Sequence, residues 1–120
     1  MNFNPQTFIK VARDLKAGNS EAHYRSSVSR AYYGAFGHVR EGLSIYVADH
    51  SVHQAVIGAL KRSKSLEYKK IGSRLEVLFK KRKEADYDYR RTVNRNSCDY
   101  CISEACDIID TYDQAAQADE

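Results

Sequence analysis

Apolar residues along this chain recur at intervals of three and four, without the two-residue alternation of a half-buried strand, which predicts an all-helical protein. Phe8, Ala12 and Leu15 share one stripe; with Asn4 as N-cap, Pro5 in the first turn and Gly18 as the stop, they define a first helix over about 5–17. Ser20 caps a second helix, and Glu21 suits the start of its dipole. The pattern then persists through Tyr46, giving a helix about 40 Å long at about 1.5 Å per residue. Val52, Val56, Ile57 and Leu60 make a short third helix that dissolves into Lys61–Ser65. A fourth helix is expected from about Glu67 to Lys83. A fifth, from about Arg95 to Ala116, carries Cys98, Cys101, Ile102, Ala105, Ile108, Ile109 and Tyr112 on one face. The stretch 85–94, polar and tyrosine-rich, reads as a connection. Residues 1–120 thus form one domain, an up-and-down bundle of about five helices whose short links make sequential neighbours antiparallel.

The second helix is apolar or small nearly all round. Val28, Tyr32, Ala35, Val39 and Leu43 form one stripe; Ser27, Ala31, Gly34 and His38 form another about 100° away. A helix of this kind must be covered on every side. It is therefore either the central member of the bundle or shared between the core and a subunit interface, and a homodimer through Ser27, Ala31, Gly34 and His38 is expected.

One position breaks the amphipathic pattern. Ile71, Leu75, Leu78 and Arg82 share a stripe on the fourth helix, which puts an arginine where an apolar side chain is expected. Burying a guanidinium is costly unless a carboxylate, phosphate or carbonyl receives its donors. Asp86, Tyr87, Asp88 and Tyr89 follow within two turns and supply either partners for that guanidinium or the lining of a polar site. An i, i+4 pair between Arg82 and Asp86 forms if the helix continues.

The formal net charge of +3 conceals an asymmetry: residues 61 to 95 hold thirteen Lys or Arg against five acids, and residues 97 to 120 hold seven acids and no base. Two readings follow, a phosphate-attracting surface or antiparallel helices that neutralise each other. Absence of an 18-residue apolar run, and of a secretory-signal pattern at the N-terminus, leads us to expect a cytoplasmic protein without membrane spans. Cys98, Cys101 and Cys106 sit too close together for a disulfide framework. Zinc would need a fourth ligand from elsewhere, so they read as reduced, buried thiols rather than a metal site. Among His23, His38, His50 and His53, the last is read as a packing or capping residue. Neither a glycine-rich phosphate loop nor a Ser/His/Asp order is present, so neither P-loop chemistry nor nucleophilic hydrolysis is indicated, and no cofactor is expected.

Three motifs occur in one order: Ser29-Arg30-Ala31-Tyr32-Tyr33-Gly34-Ala35-Phe36, then His53, then Arg82-x3-Asp86-Tyr87. Together they resemble the HEPN family of small helical-bundle proteins, in particular a prokaryotic stand-alone branch, over roughly residues 20–112. The resemblance implies an all-α bundle that often dimerises, with helix ends forming a composite cleft. Many members are metal-independent ribonucleases with an Arg-x4-to-6-His motif. Others pair with a minimal nucleotidyltransferase in toxin-antitoxin modules, where a tyrosine of Arg-x4-His-x-Tyr is modified.

Here the corresponding residues are Arg82, Tyr87 and Tyr89, with tyrosine at the histidine position. Tyrosine, with a pKa near about 10, is a poor general base beside a histidine near about 6.5. The resemblance thus implies an RNA or nucleotide phosphate site at Arg82, Asp86, Tyr87, Tyr89, Arg90 and Arg91, with Tyr89 as a possible modification site and a nucleotidyltransferase as a possible partner. The alternatives are a metal-independent ribonuclease with Arg82 and Tyr87 as catalytic residues in a degenerate Arg-x4-Tyr-x-Tyr motif, and a non-catalytic interaction module.

Overall fold

The computed structural model describes residues 3–118. These form five helices, α1 (Thr7–Lys16), α2 (Glu21–Leu43), α3 (Val52–Arg62), α4 (Leu66–Tyr87) and α5 (Arg95–Ala118), with no strand among them. None of these helices is long and apolar enough to cross a membrane.

Local chemistry sets the ends. The Asn4 side chain accepts the Gln6 N–H and its carbonyl accepts the Thr7 N–H, so α1 begins at Thr7. Ser20 and Ser65 cap α2 and α4 by accepting the N–H of His23 and Tyr68. α2 stops at Leu43, three residues before the expected Tyr46. Ser44 turns left-handed at φ 55°, and the N–H groups of Ser44 and Ile45 return to the carbonyls of Glu41 and Arg40. α4 runs past Lys83 for another turn, because Ala85 is buried and so tethers the chain to the core. What was expected to be a ten-residue connection shrinks accordingly.

α2 is the central member. Ser27 donates to the Ala12 carbonyl at 2.7 Å and Gly34 faces Ile9, so α1 runs antiparallel along it. Tyr32 packs on Phe79 and Ser29 bonds Asp86, which makes α4 antiparallel on another side. Cys98 meets the Tyr24 carbonyl and His38 meets Asp113, so α5 lies parallel on a third. α3 packs chiefly on α4, with Leu60 over Gly72. Sequential antiparallel pairing therefore fails between α2 and α3. The core is filled by Tyr32, Ile57, Leu60, Ile71, Leu75, Leu78 and Ile108, all essentially inaccessible, each aliphatic one contributing roughly 1.5–3 kcal/mol by burial.

The stripe expected at a subunit interface is filled from within the chain. Ser27, Ala31 and Gly34 are buried against α1, and a Cβ at Gly34 would stand 2.6 Å from the Ile9 Cδ1. His38 is held by Asp113 at 2.6 Å and by Gln6 at 3.2 Å. The small residues allow close helix approach as anticipated, but the approaching helix is α1. Gly34→Leu should consequently destabilise the folded chain itself by about 1–3 kcal/mol through overpacking, measured by urea unfolding; an unchanged midpoint would contradict this packing.

Candidate functional site

The extra turn of α4 creates the site. With the helix continuing through Tyr87, Arg82 and Asp86 fall one turn apart, and Arg82 Nε donates to Asp86 Oδ2 at 2.9 Å. Asp86 is fixed from α2 as well, accepting from Ser29 Oγ at 3.2 Å. The Arg82 guanidinium lies 5.1 Å from the centre of the Tyr33 ring and 5.7 Å from that of Tyr87. Its side chain is only 12% exposed. Yet its two terminal nitrogens have no acceptor among the described residues, and neither is sealed from solvent.

A second guanidinium shares the same ring. Arg30 stands 5.0 Å from the Tyr33 centroid and 5.1 Å from that of Phe8, with a terminal nitrogen 3.4 Å from Ser29 Oγ. Two arginines thus meet at one tyrosine with the Asp86 carboxylate as their nearby anion. Lys83 adds charge alongside, 4.5 Å from the Phe79 ring centre.

His53, at the start of α3, completes the cluster. Its Nδ1 is 2.7 Å from the Tyr32 hydroxyl, and its ring stacks on Phe79 at 4.8 Å and packs on Phe36 at 4.6 Å. Burial first, then the positive charges of Arg82, His50, Arg40 and Lys83, push its pKa down to about 4. Burial raises the Tyr32 phenol above its ordinary value, with Tyr33 adding and Arg82 partly opposing, so it stays protonated.

The residues assigned to the site from sequence divide into two groups. Arg82, Asp86 and Tyr87 come together. Tyr89 and Arg91 belong instead to a second cluster, organised by Arg25 at the start of α2. Arg25 pairs with Glu21 at 2.8 Å and donates to the carbonyls of Ala85 (2.9 Å), Asp88 (3.2 Å), Glu84 (3.3 Å) and Arg91. It thereby satisfies the end of α4 and pins the connection after it. Tyr89 lies against Arg25 and is 79% exposed, and Arg91 pairs with Glu84 and Asp88. Arg90 lines an open concavity with Lys80, Lys83, Glu84, Tyr87 and Asp88, its side chain without an ion-pair partner among the described residues.

Sequence reading left Ser29, Arg30, Tyr33 and His53 without a role in this site, and missed Arg25 as the clamp. The first three recur at i, i+1 and i+4 on α2, a short polar face between the two apolar stripes, and that was the available signal. The pair of Arg25 with Glu21 is local, but nothing local announces the clamp, because the carbonyls Arg25 holds lie some sixty residues away.

The charge asymmetry resolves unevenly. Among the described residues, Arg74 alone on α4 forms ion pairs to α5, with Glu104 at 2.7 Å and Asp107 at 2.8 Å. Neutralisation is therefore local, and the C-terminal half of α4 remains basic. Cys98 and Cys101 are buried, and burial lifts both thiols above their ordinary value, Cys101 to about 11. Cys106 is half-buried near Arg13, 3.4 Å from its terminal nitrogen.

Compared with known proteins, the chain matches no family model, no curated relative and no solved structure.

Two predictions follow from the site's electrostatics. Arg25→Met should cost about 2–4 kcal/mol by stranding several carbonyls and Glu21, and should raise hydrogen exchange across residues 85–91 first; exchange unchanged there would refute the clamp. For His53, the folded pKa near about 4 lies below the unfolded value of about 6.5, so the unfolded chain binds more protons between these limits. Stability supplied by neutral His53 is complete above about pH 6.5 and is lost as pH falls toward about 4. A melting-temperature profile should show that decline, and His53→Gln should flatten it.

Proposed function

We propose that the chain is a HEPN-like protein that binds RNA or a nucleotide through phosphate at Arg82. The observation carrying this reading is the state of that guanidinium. Asp86 and Ser29 fix it through Nε, two tyrosine rings flank it, and its two terminal nitrogens reach solvent without an acceptor among the described residues. A fork oriented in this way, on a largely buried stem, is suited to bidentate phosphate capture. Arg30 and Lys83 add positive field, and Tyr87, 68% exposed, offers a ring face beside the arginine.

Binding is favoured over cleavage. Tyr87, at the position where the family's nucleases place histidine, is exposed beside Arg82. The histidine that does stand in the cluster, His53, is held near a pKa of about 4 and already bonded to Tyr32. Such an imidazole is neutral at neutral pH yet a weaker base than an ordinary one.

Fluorescence anisotropy with a short single-stranded oligoribonucleotide provides the test. Wild-type affinity should fall as salt rises. Arg82→Ala should weaken binding about ten- to a hundredfold and reduce the salt slope by about one phosphate, and Arg82→Lys should restore only part of it. The RNA should remain intact throughout. Arg82-independent binding would overturn the phosphate site, and turnover that disappears with Arg82→Ala would replace binding with cleavage.

A further inference from the structure

Tyr33, on which Arg82 rests, also lines a cavity of about 370 Å³ with aromatic walls. Phe3, Pro5 and Phe8 line it from the N-terminal segment, and Tyr33, Phe36 and His53 from α2 and α3. The N-terminal wall is seated tightly. Phe3 and Phe8 pack ring on ring at 5.1 Å, and a Cβ on Gly37 would come within 2.5 Å of the Pro5 Cβ.

The opposite wall is equally ordered. His53 is stacked on Phe79 and against Phe36, and Tyr33 is gripped between Arg30 and Arg82. Arg40, whose Nε donates to the Ile45 carbonyl, and Glu41 also line it, and their remaining donors and acceptor oxygen suit the edge of a planar ligand. The volume falls within the range of about 300–1,000 Å³ typical of small-ligand sites.

We infer that this cavity is a nucleobase subsite, which receives the base of the nucleotide whose phosphate sits on Arg82. The inference rests on the phosphate reading of Arg82 and extends it. Charge and continuity select the occupant. An aliphatic or peptide side chain would gain nothing from the two arginines that stand on Tyr33, whereas a nucleotide joins a ring with π-faces to an anion. Tyr33 belongs to both parts, lining the cavity while carrying Arg82 and Arg30, so base and phosphate sites are contiguous. Bases stacked inside a duplex are out of reach of such a cavity, so the ligand is an unpaired strand or a free nucleotide.

The experiment compares single-stranded oligoadenylate with an abasic ribose-phosphate oligomer of the same length and charge, by anisotropy at one salt concentration. Wild type should prefer the base-bearing strand by about five- to a hundredfold. Phe8→Ala should remove most of that preference. Because Phe8 is half-buried, Phe3→Ala serves as the second variant; Phe3 is 62% exposed, and its loss should lower the same preference without moving the melting temperature. Ultraviolet crosslinking of the oligoadenylate should map to Phe3, Phe8 or Tyr33. Equal wild-type affinity for the two oligomers would overturn the base subsite while leaving the Arg82 phosphate site standing. A preference untouched by both variants would also overturn it. Failure to bind either oligomer would remove both readings.

Discussion

The constraint on which this structure depends is that α2 must be covered on every side. A 23-residue helix with buried residues around its circumference cannot be stable as a surface element, and the other helices are arranged to bury it. The covering is specific because each side of α2 demands a different neighbour. The small side admits α1 to within contact of Gly34, the aromatic side receives Phe79 of α4, and the start of the helix accepts Cys98 of α5. Polar groups carried inward by this arrangement are satisfied across it, as with Ser27 to the Ala12 carbonyl and Ser29 to Asp86.

That same covering positions the arginine cluster. α4 lies antiparallel to α2, so its C-terminal turn arrives beside the first half of α2, where Arg25, Ser29, Arg30 and Tyr33 form the face that is not apolar. Arg25 gathers the terminal carbonyls of α4, which keeps Arg82 and Asp86 within regular helix. Ser29 then orients the carboxylate that orients the guanidinium. The chain of support runs from an ionic cap, through a helical turn, to the direction in which one fork of donors points.

Much of this was legible in the sequence. Helix number and most boundaries follow from apolar spacing and from capping residues such as Ser20, because those signals are local. Arg82 stood out for the same reason: it occupies the position after Ile71, Leu75 and Leu78 on a regular stripe. The covering partner of the Ser27 and Gly34 stripe was not legible. Spacing states that a helix can approach there, and it is silent on whether that helix comes from the same chain. The end of α4 was missed for a related reason. Its last turn is polar and gains its stability from Arg25, which lies far away in sequence, and from the burial of Ala85.

The arrangement of charge decides what the cluster can do. Two guanidiniums brought to one tyrosine repel each other, and Asp86 compensates them incompletely because its contact is to Nε of one and only indirect, through Ser29, to the other. If the cluster served only to knit helices, a second carboxylate opposite the free terminal nitrogens would be the economical solution. The described residues near it supply rings instead: Tyr33, Tyr87 and Phe8. Aromatic faces attract a cation weakly, by about 0.5–1 kcal/mol at exposed sites, and they leave its hydrogen-bond donors unspent. A surface built in this way leaves its strongest donors unspent, and that is the ground on which the phosphate reading proposed for Arg82 stands.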